Sequence, residues 1–203
     1  MNSAKIRLSQ KEMELVSDDS WILTKNKILD KAKLLLGNLL EEQQAVFGFF
    51  KNYLPEELTT VPPKISKGEN YRGLPYLILD YPRIFTKENT FAIRTMFWWG
   101  NFFSITLHLS GNYKRIYEKK IIATLSDLQN DGFFICINED QWEHHFEDSN
   151  YRHLTKMNKE KLIQNINEAG FLKLSQKIPL QQWDDVITIA TGIFHQLLKR
   201  IST

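Results

Sequence analysis

Apolar residues in the first quarter of the chain recur at helical spacing, at Trp21, Ile28, Ala32, Leu35, Leu36, Leu39, Val46, Phe50 and Tyr53. A period near 3.6 held over that distance predicts one long helix, with Gly37-Asn38 as the one place where its pattern weakens. Asp18-Asp19-Ser20 supplies the start, because acidic and hydroxyl side chains satisfy free N–H groups at the positive end of a helix. Ahead of it, Ser9 with Glu12 matches the S-x-x-E capping box and predicts a short helix over 9–17. Ile22, Leu29, Leu34, Leu40, Phe47 and Phe49 widen the apolar stripe beyond what one face requires. A helix coated in this way is expected either at the centre of the fold or against a second copy of the chain.

Pro55 and Pro62-Pro63 end the helical part, since proline lacks an N–H and disfavours helix in the residue before it. Beyond Ile65 the period changes. Residues 74–80 (LPYLILD), 91–99 and 102–109 read as strands, the last two joined by Gly100-Asn101. A two-residue connection with Gly first fits a type II′ hairpin turn. Its register opposes Trp99 to Phe102, Phe97 to Ser104, Thr95 to Thr106 and Ile93 to His108. One side is then apolar through Ala92, Met96, Trp98, Phe103, Ile105, Leu107 and Leu109, with Arg94 the exception; the other mixes Thr95, Phe97 and Trp99 with Ser104, Thr106 and His108.

A helix over 112–130 closed by Gly132, a buried strand over 133–138 and a polar stretch over 139–155 follow. A helix over 158–169, a strand over 171–178 and a last helix after Pro179 complete the pattern. Asp184 and Asp185 at the start of that helix and Lys199 and Arg200 at its end complement its dipole. The expected fold is α+β: a partly antiparallel sheet of about four to six strands, packed by the long N-terminal helix, a middle helix and a C-terminal helix. There is no repeat, low-complexity tract or long linker, so 1–203 is expected to be a single domain, helical over about 9–54 and mixed over about 65–203.

Charge narrows the partners. Lys plus Arg (26) against Asp plus Glu (24) gives a net charge of +2, which is not the footprint of a protein held by nucleic-acid phosphates. A lone cysteine, Cys136, makes no intrachain disulfide and requires no oxidising compartment. No apolar run resembles a signal-peptide core or a membrane span. These features predict a soluble cytoplasmic protein with neither membrane nor nucleic acid as its partner. Phosphate-cradling glycine loops, a G-x-S-x-G elbow and H-E-x-x-H are missing from the sequence, and no cofactor is evident.

Four constellations carry candidate chemistry. His144, His145 and His153 lie among carboxylates within 143–153, residue types that ligate zinc and related metals. Lys114, Arg115, Lys119 and Lys120 stand near a predicted helix start, where free N–H groups and cations together favour an anion. The mixed hairpin face offers Trp99 and His108 beside polar groups, the lining of a small-molecule pocket. Arg72, Tyr76, Arg83 and Arg94, with Asp80 between them, hold planar guanidinium groups suited to bidentate contacts with an anion. Each also has a plain structural use, as a solvated face, a satisfied core histidine or a local ion pair.

The expectation that follows is a non-catalytic binding or interaction protein, homodimeric through its long N-terminal helix. Arg72, Tyr76, Arg83, Arg94, Trp99 and His108 would line a site for a small anionic ligand. One alternative is a small enzyme acting on an anionic substrate with His108 as acid or base. Another is metal binding through 143–153.

Overall fold

The computed structural model describes residues 6–202. Its strands are β1 (Lys64–Tyr71), β2 (Leu74–Phe85), β3 (Thr90–Trp98), β4 (Phe102–Ser110), β5 (Phe134–Cys136), β6 (Tyr151–His153) and β7 (Phe171–Pro179). They form a seven-stranded sheet in the order β1-β2-β3-β4-β7-β5-β6, and every pairing is antiparallel. The helices are α1 (Gln10–Ser17), α2 (Asp19–Phe50), α3 (Glu57–Thr60), α4 (Gly111–Ala123), α5 (Leu125–Asn130), α6 (Lys159–Glu168) and α7 (Val186–Ser202). The fold is α+β, as the pattern predicts, with more strands than expected: β1 is polar and β6 has only three residues, so neither shows an apolar alternation.

Helix α2 runs unbroken through Gly37-Asn38. It lays Leu29, Ala32, Leu35, Leu36, Leu39, Gln43 and Phe47 against the sheet and α7. Leu40, Val46 and Phe50 are partly covered by the same core, while Trp21, Leu23, Leu34 and Phe49 stay exposed. Helix α1 carries the expected capping box between Ser9 and Glu12 and has no buried residue. The predicted helix over 112–130 divides at Thr124, whose hydroxyl donates back to the carbonyls of Lys120 and Ile121, a local bond that competes with helix continuation.

The hairpin register differs from expectation by one residue. Trp98 opposes Phe102, Met96 opposes Ser104, Arg94 opposes Thr106 and Ala92 opposes His108. Trp99 therefore belongs to a three-residue connection, closed by Asn101 N–H donating to the Trp98 carbonyl at 3.1 Å, with Gly100 at φ 70°. A one-residue shift exchanges the two faces of one strand. Thr95, Phe97, Phe103, Ile105 and Leu107 thus share the helix-covered face, while Arg94, Met96, Trp98, Ser104, Thr106 and His108 share the other. Both strands are buried along nearly their whole length on both sides, so no alternation was available to fix the register.

The second face of the sheet is covered by chain rather than by helix. Between β5 and β6, residues 137–150 form a strap lying across β4, β7 and β5. Phe146 fastens it, with its ring 5.1 Å from Phe102, 5.1 Å from Phe134 and 4.6 Å from Tyr151. The strap's edge meets Tyr71 of β1 and Arg94 of β3, and the rest of this face on β1, β2 and β3 lies outside it.

Candidate functional site

Two polar rows cross the second face. Ladder pairing aligns Asp80, Arg94, Thr106 and Ser175 in one row and Arg83, Ala92, His108 and Lys173 in the next. Arg83 reaches this face because β2 carries one extra residue: three steps from Asp80 to Arg83 match two from Arg94 to Ala92. Such a bulge re-aims a side chain. Without it, Arg83 would point into the helix-covered core, where Tyr81 packs on Phe47 at 5.4 Å.

Arg94 and Asp80 form a bidentate pair, Nε donating to Oδ1 at 2.7 Å and Nη2 to Oδ2 at 3.0 Å. Their side chains are only 13% and 7% exposed, so each is the partner that makes burial of the other tolerable. The remaining Nη1 donates to His144 Nε2 at 3.4 Å. Burial, with the Lys173 and Arg94 charges nearby, holds His144 well below the usual histidine range. His108 lies under the Trp142 ring at 5.4 Å and bonds through Nε2 to Gln141 Oε1 at 2.9 Å. Burial first, and Lys173 second, push it down to about 3. Both histidines are neutral, His108 beneath the strap and His144 on the strap itself, turned toward Arg94.

The strap is tied from both sides. The Tyr71 hydroxyl donates to Glu143 Oε2 at 2.7 Å and accepts from the N–H of His144 at 2.7 Å and of His145 at 3.0 Å. Burial raises its pKa to about 12, so it remains a donor at any ordinary pH. From the sheet, Lys173 Nζ donates to the carbonyls of Gln141 at 2.9 Å and Glu143 at 2.6 Å. Asn150 Nδ2 donates to the His145 carbonyl, and Arg72 pairs with Glu147 on the outside.

Where the strap ends, a cleft of ≈ 290 Å³ opens on the uncovered part of this face. Its floor is Ser66, Ile78, Asp80 and Arg94; Tyr76 stands at one end and Phe85 with Trp142 at the other; Lys64 and Arg83 line it as well. The Phe85 and Trp142 rings are 6.2 Å apart, and the Arg94 guanidinium lies 5.6 Å from the Phe85 ring centre. Arg83 spends Nε on the Pro62 carbonyl at 2.9 Å. Its two Nη groups, and the Lys64 ammonium, meet no acceptor among the described residues. With Arg94 neutralised by Asp80, the cleft keeps two uncompensated positive charges beside aromatic walls.

Of the residues singled out from sequence, Tyr76, Arg83 and Arg94 converge on this cleft. His108 lies behind its Trp142 wall. Arg72 is taken by Glu147 at the surface. Trp99 lies on the opposite face, packed with the helix-covered core. The three histidines of 143–153 are not brought together: His144 meets Arg94, His145 meets Glu143 and Glu147, and His153 bonds Thr155 and packs on Phe134 at 4.8 Å. Among the described residues no group of three or more His, Cys, Asp or Glu is placed to hold a metal. Three of the four cations at the start of α4 are spent, with Lys114 on Glu118, Arg115 on Asn112 and Lys120 on the Ile201 carbonyl, while Lys119 points to solvent.

Sequence reasoning missed Lys64, Trp142 and Lys173. The alternation Leu172, Lys173, Leu174, Ser175 was a usable signal, placing Lys173 and Ser175 on one face of a strand. Nothing local says that a strap then covers that face. Compared with protein-family models, with curated proteins and with solved structures, the chain matches none.

Proposed function

We propose that the protein is a binding module for a small anionic ligand with a flat apolar body, held in the cleft between the strap and β1, β2 and β3. The observation that carries this is the pair of unspent cations, Arg83 and Lys64, fixed beside Tyr76, Phe85 and Trp142. A guanidinium with two free N–H edges suits a carboxylate or phosphate, and aromatic walls with a few placed polar groups are the usual lining of a ligand pocket. Binding is favoured over catalysis because His108, the acid or base of the enzyme alternative, is sealed under Gln141 and Trp142 and is neutral down to about pH 3. No helix is long and apolar enough to cross a membrane, and Cys136 is a free buried thiol.

The test is a ligand-observed NMR screen of benzoate, succinate, methylsulfonate and inorganic phosphate, repeated on Arg83→Ala. At least one planar carboxylate is expected to bind saturably, weakened about tenfold or more in the variant, the usual worth of a charge-assisted hydrogen bond. Binding that Arg83→Ala leaves unchanged, or no binding by any of the four, rejects the proposal.

A second reading, association of two copies through the N-terminal helices, is favoured by one observation. Leu8, Met13, Leu15, Val16, Trp21 and Leu23 are all exposed, and an eight-residue helix that buries nothing, as α1 does, has little to hold it in isolation. Sedimentation at micromolar concentration is expected to give twice 23.9 kDa. A sharp monomer would remove this reading.

A further inference from the structure

We infer that Lys173 is a positioning residue for the cleft, its buried amino group clamping the backbone on both sides of Trp142 and so fixing the indole that walls the ligand site. This rests on the reading of the cleft as a ligand site and adds to it the part that sets its shape.

Lys173 lies on β7, 1% exposed, with its Nζ 5.3 Å from the centre of the Tyr151 ring. It touches no cleft residue's head group directly and lines no part of the cleft. Its two hydrogen bonds go to the carbonyls of Gln141 and Glu143, the residues immediately before and after Trp142. A buried lysine is costly unless its donors are used, and here they are used on those two carbonyls. Trp142 itself has only soft contacts, the His108 ring below it and Phe85 beside it. The hydrogen bonds that place it are those made by its neighbours' backbone and by its own N–H to Asp140 Oδ1 at 2.8 Å.

The titratable and charged groups around Lys173 are Arg94 on β3, His108 on β4, Cys136 on β5, Tyr151 on β6, and Asp140, Glu143 and His144 on the strap. Burial dominates among them and lowers Lys173 to about 8. The sign follows from linkage: a strap that opened would return Lys173 to its ordinary, higher pKa, so the proton favours the open strap and its loss favours the closed one. A neutral amine keeps two N–H donors, enough for both carbonyls. Raising the pH through 8 therefore leaves the clamp made and changes the charge beneath Trp142.

The experiment uses full-length protein labelled with 5-fluorotryptophan, the Trp142 fluorine resonance being assigned by Trp142→Phe, together with amide hydrogen exchange. In Lys173→Met the Trp142 resonance is expected to shift and broaden while those of Trp21, Trp98, Trp99 and Trp183 stay in place. Strap amides at 137–150 are expected to exchange at least tenfold faster, with β3 and β4 amides unchanged. An unchanged Trp142 resonance with unchanged strap exchange overturns the inference. So does a variant in which all five resonances and all amides move together, the mark of a general structural role. If Lys173→Met does not fold, Lys173→Gln decides, since it keeps a polar group at the site but is too short to span both carbonyls: a shifted and broadened Trp142 resonance with the other four in place supports the clamp, and an unchanged Trp142 resonance overturns it. None of these readouts needs ligand, so failure of all four anions to bind wild type rejects the ligand reading alone. Equal benzoate affinity in wild type and Lys173→Met rejects the clamp alone.

Discussion

Asp80 shows what a single residue does in this molecule. Its carboxylate takes two donors from Arg94 while both are mostly withdrawn from water. Asp80→Ala leaves the guanidinium buried without its partner, and breaking such a pair costs about 3–5 kcal/mol. Urea denaturation is expected to show that loss in Asp80→Ala and to show most of it recovered in Asp80→Ala with Arg94→Met, since the double variant leaves no buried charge. A double variant as unstable as the single one would mean that the pair's charge is not what matters there. At this scale the sequence was partly legible. An arginine among strands next to an aspartate announces a pair, and Asp80 with Arg94 is that pair. The partner of Arg72 is Glu147, distant in sequence, and only the closure of the strap on the β1–β2 turn creates it.

Among the elements, α4 depends on a contact that its own residues do not reveal. Gly111 starts it at φ 58°, and a Cβ there would come 2.2 Å from the Glu88 carbonyl oxygen. The first turn is capped from outside, Asn112 N–H donating to Asn89 Oδ1 at 2.7 Å. Gly111→Ala is therefore expected to lose about 2 kcal/mol or more, from left-handed backbone cost plus displacement of the 86–89 turn. Asn89→Ala is expected to lose about 1 kcal/mol, the usual worth of a helix N-cap. Denaturant midpoints measure both. Elements with their own signal were legible: the capping box of α1, the long period of α2 and the basic end of α7, although α7 begins only at Val186 and leaves Asp184 and Asp185 in the 3-10 turn ahead of it. The register of β3 on β4 was not, because strands buried on both faces carry no alternation, and one residue more in the turn moved Arg94 from beside Leu107 to beside Thr106. The bulge that turns Arg83 toward Asp80 was equally silent, since Tyr81-Pro82-Arg83 reads as punctuation that ends a strand at Asp80, whereas β2 runs on to Phe85.

The molecule as a whole keeps neutral bases within and beneath its strap, and these make its stability sensitive to acid. His108 falls from 6.5 to about 3 on folding, mainly through burial, and His144 is lowered by the same cause. Between those values the unfolded chain binds protons that the folded chain refuses. Stability is then fully present above pH 6.5 and lost as the pH falls toward 3. Urea midpoints measured across that window are expected to fall steadily, and His108→Gln, which keeps a polar group toward Gln141, is expected to flatten the slope. An unchanged slope in the variant would place the acid sensitivity elsewhere. The same burial is why the proposed ligand site is built on the open cations, Arg83 and Lys64, rather than on His108.

The measurement that bears most directly on the cleft is a nitrogen–proton NMR titration of the wild type with benzoate, following backbone amides and arginine Nε–H signals together. The account expects a saturable shift of the Arg83 Nε–H, accompanied by amides of β1, β2 and Trp142, with the signals of Arg72 and Arg200 unmoved. Saturable shifts centred on another surface, with the Arg83 signal stationary, would contradict it.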